Sequence, residues 1–170
     1  MNEGGPGAAR LWEEPAPTWR SRPASQCLGT ASPGAPAIHV RERCLGAVID
    51  QLAGAAGLLT GSVNRDAAGL WVDVQGCVAF PQGALSCDSI AATDLRLHLD
   101  GADQSVLGWY FRRLGNPRFD ASDPAWFRTL FTAEWHVALV LDPTSLRFCF
   151  FQRAVEGAAS TGCCFVPDTP

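Results

Sequence analysis

The chain has 170 residues, a formal net charge of −4 and thirteen basic side chains, all of them arginine. A pI of about 5.3 excludes a generic basic nucleic-acid surface, and 47% hydrophobic against 18% charged residues excludes whole-chain disorder. No apolar run approaches the roughly 18 residues of a membrane-spanning helix, and Met-Asn-Glu-Gly-Gly-Pro at the start lacks the pattern of a secretory signal.

Residues 1–37 hold six of the twelve prolines and few aliphatic side chains. Such a segment buries too little apolar area to offset its ordering entropy, so a flexible arm is expected, with residues 38–170 forming one domain. Trp12 and Trp19 are its candidate anchors for another surface or subunit.

In residues 42–53, Leu45, Val48, Ile49 and Leu52 recur at helical spacing, and Gly54 ends the helix. Gly57–Val63 reads as a buried strand, residues 64–69 as a turn, and Leu70–Phe80 as a strand in which Leu70, Val72 and Val74 alternate. These two strands are expected to form a hairpin. A loop over residues 81–87 leads to a helix over residues 88–99, with Asp88 as its cap. Ser105–Phe111 is the next strand, followed by a loop over Arg112–Asp120. Pro124 then opens a helix through Leu130, capped by Ser122 or Asp123. Strands are expected at His136–Leu141, Leu146–Val155 and Thr161–Val166. The pattern is α/β, a mixed central sheet with helices packed on it. On the Leu146–Val155 strand, Phe148 and Phe150 face one way and Cys149 and Phe151 the other. Both faces are apolar: either helices cover both, or one is an interface, for which Phe151 is the candidate.

The seven cysteines form no CxxC pair, and Cys163-Cys164 are poorly placed as two ligands of one structural zinc. Buried free thiols are expected, which fits a cytoplasmic location. None of the cysteines has a visible histidine partner, and His39, His98 and His136 show no metal spacing.

The window Val106–Pro143 carries more information. It contains Gly108-Trp109-Tyr110, and later Val137-Ala138-Leu139-Val140-Leu141-Asp142-Pro143. Upstream stands Gly54-Ala55-Ala56-Gly57-Leu58-Leu59-Thr60-Gly61. In this order and spacing the three motifs resemble the MPN domain, the fold of the JAMM zinc metalloproteases that cut isopeptide bonds to ubiquitin-like proteins. The resemblance covers roughly residues 38–155 and implies a single MPN-like domain.

Active members of that family carry two zinc-binding His, one Asp and a Glu general base. Here the His positions are Phe111 and Arg113, the Glu position is Gly54, the motif Ser falls on Asp120, and only Asp123 keeps its type. Phe cannot bind zinc, a guanidinium repels a dication, and Gly54 cannot take a proton. The resemblance therefore implies a pseudoenzyme without metal or other cofactor. An Arg113–Asp123 ion pair filling the zinc position is one reading of these charges; a solvated loop is the other.

Inactive members commonly pair with another MPN-domain protein or scaffold a larger complex. A structural, protein-interaction subunit is therefore the leading expectation, with no nucleic-acid or membrane partner. The alternatives are a peptide-binding module in the vestigial cleft, with Arg112 and Arg113 reading a carboxylate, and a divergent zinc isopeptidase.

Overall fold

The computed structural model describes residues 15–51, 56–80, 105–119, 131–154 and 157–168. Its elements in chain order are β1 (Thr18–Trp19), β2 (Gln26–Leu28), β3 (Ala37–Arg41), α1 (Glu42–Ile49), β4 (Ala56–Asp66), β5 (Gly69–Ala79), β6 (Ser105–Arg112), β7 (Val137–Asp142), β8 (Arg147–Ala154), β9 (Gly157–Thr161) and β10 (Cys163–Val166). The helices expected over residues 88–99 and 124–130 lie outside the described residues.

The strands form one mixed sheet in the order β2-β10-β3-β5-β4-β6-β7-β8-β9. The β10–β3, β3–β5 and β6–β7 pairs are parallel, and the other pairs along this path are antiparallel. Strands β9 and β10 sit at opposite ends of this order, yet only Gly162 separates them. The sheet must curl to bring its ends together, and the Gly162 N–H donates to the Thr30 carbonyl across the junction (2.8 Å). Strand β1 pairs with β4 at Asn64 and Arg65, beyond the point where β6 leaves that edge at Gly61.

The hairpin of β4 and β5 is antiparallel as expected, but tighter. Asn64 stays in the strand because its amide donates to the Ser62 hydroxyl (3.0 Å), and the loop shrinks to Ala67-Ala68. Asp66 accepts the Ala68 N–H (2.8 Å), and Gly69 supplies the positive φ of +119° that closes the turn. The helix ends at Ile49 rather than near residue 53. Gln51 turns away to accept from the Tyr110 hydroxyl and to donate to Cys77 Sγ (3.7 Å).

Apolar side chains fill both faces of the sheet. On one face, Val40, Val48, Val72, Leu107, Tyr110 and Phe150 pack with α1. On the other, Leu58, Trp109, Phe131, Val140 and Phe151 form a second cluster. The two-sided apolarity of β8 is thereby explained: Phe148 and Phe150 join the first cluster, Cys149 and Phe151 the second.

Two expectations need correction. Residues 15–37 are not a featureless arm: they contain β1 and β2 and are tied down by side chains. Arg22 makes a two-pronged ion pair with Asp66 (2.7 and 3.2 Å), and the Trp71 indole N–H donates to the Arg20 carbonyl (3.3 Å). The cysteines are not all free thiols, because Cys27 and Cys164 form a disulfide between β2 and β10. Cys44, Cys77, Cys149 and Cys163 are free.

Candidate functional site

Phe111 and Arg113, the positions that the MPN resemblance would set at two zinc ligands, lie where β6 runs out of the sheet. Phe111 pairs with Ala56 and Val140 in register, which fixes its ring on the second apolar face. Trp109, two residues earlier, meets Phe111 edge-on (6.1 Å between ring centres) and lies parallel to Phe119 at the same separation. Phe119 stacks in turn on Phe151 at 4.2 Å.

Arg113 folds back over this group. Its guanidinium carbon sits 4.8 Å from the Phe111 ring centre, its Nη1 donates to the Arg118 carbonyl (2.7 Å), and its backbone N–H donates to the Leu141 carbonyl (2.9 Å). The two positions where the family places imidazoles thus hold a ring and a cation stacked on each other. Such a pair offers no lone pair to a metal, and its positive charge opposes one. The remaining positions of that set, Gly54, Asp120 and Asp123, lie outside the described residues, as does Trp12. The Arg113–Asp123 pair therefore stays an expectation.

Asp142, which closes the second motif, caps a turn. Its carboxylate accepts the Ser145 hydroxyl (2.6 Å) and the Thr144 N–H (3.0 Å), and these two bonds hold its pKa below the usual carboxylate value. No three side chains of metal-binding type converge among the described residues.

Arg112 and Arg113 do not converge. Strand alternation puts Arg112 on the Tyr110 face, opposite Phe111 and its guanidinium cover. Arg112 is only 6% exposed, and its Nε and Nη1 have no hydrogen-bond partner. Nearby, burial raises the Tyr110 phenol, whose hydroxyl is held by Gln51. Cys77 lies against Cys44, and the contact together with burial pushes the Cys44 thiol up. Phe151, a candidate partner contact in the sequence, is buried against Phe119 and is not a surface residue. Trp19 is the opposite case: it is 71% exposed on β1.

The structure also assembles a polar group that the sequence did not reveal. On the face of the sheet away from α1, register places Cys27, Cys164, His39, Asp73 and Ser62 in one row across β2, β10, β3, β5 and β4. Asp73 is 3% exposed and is gripped by Arg41 through two bonds (2.9 and 2.7 Å) and by the Gln75 amide (2.9 Å). His39 is buried against the Trp71 ring (5.1 Å), and neither ring nitrogen has a hydrogen-bond partner. Desolvation, then the nearby Arg22, lower its pKa. The sequence signal for this row was only the alternation of Ile38 and Val40 with His39 and Arg41. The neighbours of His39 in the row come from positions 12 to 125 residues away.

Where the two ends of the sheet meet, a hollow of about 690 Å³ opens beside Leu28, Thr30, Phe148, Phe150, Thr161 and Cys163. Among the described residues no helix is long and apolar enough to cross a membrane.

No family model and no curated protein matches the chain. Its fold is similar to the solution structure of protein DSY2949 from Desulfitobacterium hafniense, with a TM-score of 0.53 and 16% identity over 78% of this chain and 94% of that one. At that identity the likeness is one of fold.

Proposed function

We propose that this chain is a non-catalytic, MPN-like protein-interaction subunit of a larger assembly, paired with another MPN-domain protein. The observation that carries the reading is the stack of Arg113 on Phe111 at the two positions where the family binds zinc. The site has been rebuilt as packing, with Trp109, Phe119 and Phe151 behind it. Trp19, exposed on the short strand β1, is the contact offered to the partner, since a large rigid side chain loses little entropy when it docks. A cytoplasmic location belongs to the same proposal, although the Cys27–Cys164 disulfide removes one of its supports.

A second reading rests on Arg112. A buried guanidinium with two unpartnered N–H groups is suited to a carboxylate, such as the end of an extended peptide. Arg113, on the other face, takes no part in it.

The test is affinity capture of the full chain from its native source, with and without a chelator, alongside the Trp19→Ala variant. The subunit reading expects a stoichiometric MPN-domain partner, indifferent to chelator and weakened at least tenfold by W19A. A chain that remains a monomer without a partner, or that hydrolyses isopeptide-linked substrates in a chelator-sensitive way, would refute it. Binding of carboxylate-ended but not amidated peptides, lost in Arg112→Met, would favour the second reading.

A further inference from the structure

We infer that Cys27 and Cys164 form a thiol–disulfide exchange site, with His39 as the acid–base group for Cys164. Its substrates are low-molecular-weight or protein thiols and their disulfides.

Three independent observations meet here. The disulfide links two residues that face each other directly on adjacent antiparallel strands, β2 and β10. Cys27 lies on the exposed outer strand, so one sulfur is open to an attacking thiolate, whereas Cys164 is half-buried. Exchange requires access to the attacked sulfur, and only Cys27 offers it. On its other side Cys164 is the register partner of His39, so both side chains leave the same face of neighbouring strands, roughly 4.8 Å apart along the pairing direction.

His39 is an unusual neighbour for a structural disulfide. A buried imidazole normally finds a hydrogen-bond partner, yet both of its nitrogens lack one. Asp73, on its far side, is committed to Arg41 and Gln75 and does not engage the ring. The imidazole gains a partner when the disulfide opens and Cys164 becomes a thiol or thiolate.

The chemistry balances without any further reagent. In reduction, a thiolate RS⁻ attacks Cys27 Sγ. The Cys27–Cys164 bond breaks, a Cys27–SR bond forms, and Cys164 leaves as a thiolate that accepts the His39 N–H. A second thiolate attacks the RS sulfur of the mixed disulfide, releasing RSSR and the Cys27 thiolate. The protons shed by the two RSH molecules end on the two cysteines. In the reverse direction, the Cys27 thiolate attacks RSSR, forming the Cys27–SR bond and releasing RS⁻, which takes up the Cys27 proton. The free nitrogen of neutral His39 then takes the Cys164 proton, the Cys164 thiolate attacks Cys27 Sγ, the disulfide closes, and the imidazolium gives its proton to the departing RS⁻. Groups facing His39 are Arg22 from the segment after β1, Arg41 on its own strand, Asp73 on β5 and Asp66 at the end of β4. The two cations favour the neutral ring at pH 7 and also favour a thiolate on Cys164.

The experiment uses the full chain, reduced and oxidised glutathione as probes, and alkylation with mass spectrometry to locate free thiols. Circular dichroism reports whether the fold persists. The expected result is complete, reversible conversion of Cys27 and Cys164 together in the folded protein, with no change at Cys44 and Cys163, which are buried. His39→Gln is expected to slow closure of the Cys27–glutathione mixed disulfide by at least about tenfold.

The unsubstituted protein supplies a second readout, independent of how the variant folds. With neutral His39 as base for Cys164, closure of the Cys27–glutathione mixed disulfide changes less than about threefold in rate between pH 7.5 and 6.5, where an ordinary thiol of pKa ~8.5 loses about tenfold. Labelling of these cysteines only after denaturation would overturn the proposal, as would a tenfold fall in rate over that pH unit.

Discussion

His136 offers a direct measure of how this fold resists acid. It stands just before β7, 1% exposed, with Phe131 edge-on to its ring at 5.3 Å. Its Nδ1 accepts the Ala133 N–H (2.9 Å), so the neutral ring carries its proton on Nε2. Protonating the ring destroys that acceptor and places a charge between aromatic side chains. Burial accordingly pulls its pKa down from 6.5 to about 4. In the unfolded chain the ring titrates at its ordinary value, so between these limits the unfolded state holds more protons and stability rises with pH. The contribution is full above pH ~6.5 and is lost as pH falls toward 4. At ~1.36 kcal/mol per pKa unit the whole loss is about 3 kcal/mol, with about 2 kcal/mol gone by pH 5. The lowered pKa of His39 adds a loss of the same sign. The depressed carboxylates Asp66 and Asp142 contribute stability that disappears only as pH falls below ~3.8, so they leave this window clean. Urea unfolding at pH 7.5, 6.5, 5.5 and 4.5 reads the loss, and the imidazole proton resonances, assigned by His→Gln variants, read the midpoint. A stability that is flat over this range, or a His136 resonance with a midpoint near 6.5 in the folded protein, would refute the reasoning.

Two substitutions probe the sheet itself. A Cβ on Gly108 would collide with the Val137 carbonyl of the neighbouring strand, at the point where β4 and β6 slip register between Leu59 and Thr60. Since the obstacle is backbone, Gly108→Ala must push β6 and β7 apart, and a loss of about 3 kcal/mol or more is expected in chemical denaturation. Arg41→Met strands the buried carboxylate of Asp73 with only the Gln75 amide, at a cost of about 3 kcal/mol. The double variant Arg41→Met with Asp73→Leu is expected to recover most of that, because the uncompensated charge is gone; a double variant no better than the single one would show that the cost lies elsewhere.

What the sequence made legible was local. The alternation of Leu70, Val72 and Val74 predicted β5, and Val72 and Val74 are fully buried. Leu45 and Val48 marked the buried face of α1 correctly. The strands at β6, β7 and β8 fell within a residue or two of their expected bounds, because each carries a run of β-branched or aromatic residues between clear breakers. Strands β1 and β2 escaped notice because two or three residues cannot show a period, and their neighbours are rich in proline. The length of the chain before β3 looked like an arm because its ordering depends on side chains it does not supply. Asp66 holds Arg22, and the Trp71 indole holds the Arg20 carbonyl. At the candidate site the sequence did not show the stack of Arg113 on Phe111, and it joined Arg112 to Arg113. Alternation along β6 divides them, and only the register with β4 and β7 fixes which face each side chain takes.

The row from Cys27 to Ser62 was beyond any local reading for the same topological reason. A disulfide between residues 137 positions apart has no signature in spacing. It becomes possible because the chain ends by laying β10 parallel to β3 while β2 lies antiparallel on its other side. That insertion requires the sheet to curl until β9 and β10 are separated by Gly162 alone. A Cβ at Gly162 would press on the backbone of Leu28, Gly29 and Thr30 at 2.8 Å. The closure that packs the core thus also brings the last strand between Cys27 and His39. The Phe111–Arg113 stack and the proposed thiol chemistry therefore rest on different parts of one sheet: the stack depends on β6 and β7, and the Cys164–His39 pair on β10 and β3. Substitutions in one are expected to leave the other intact, because β5 and β4 stand between the two regions in the strand order.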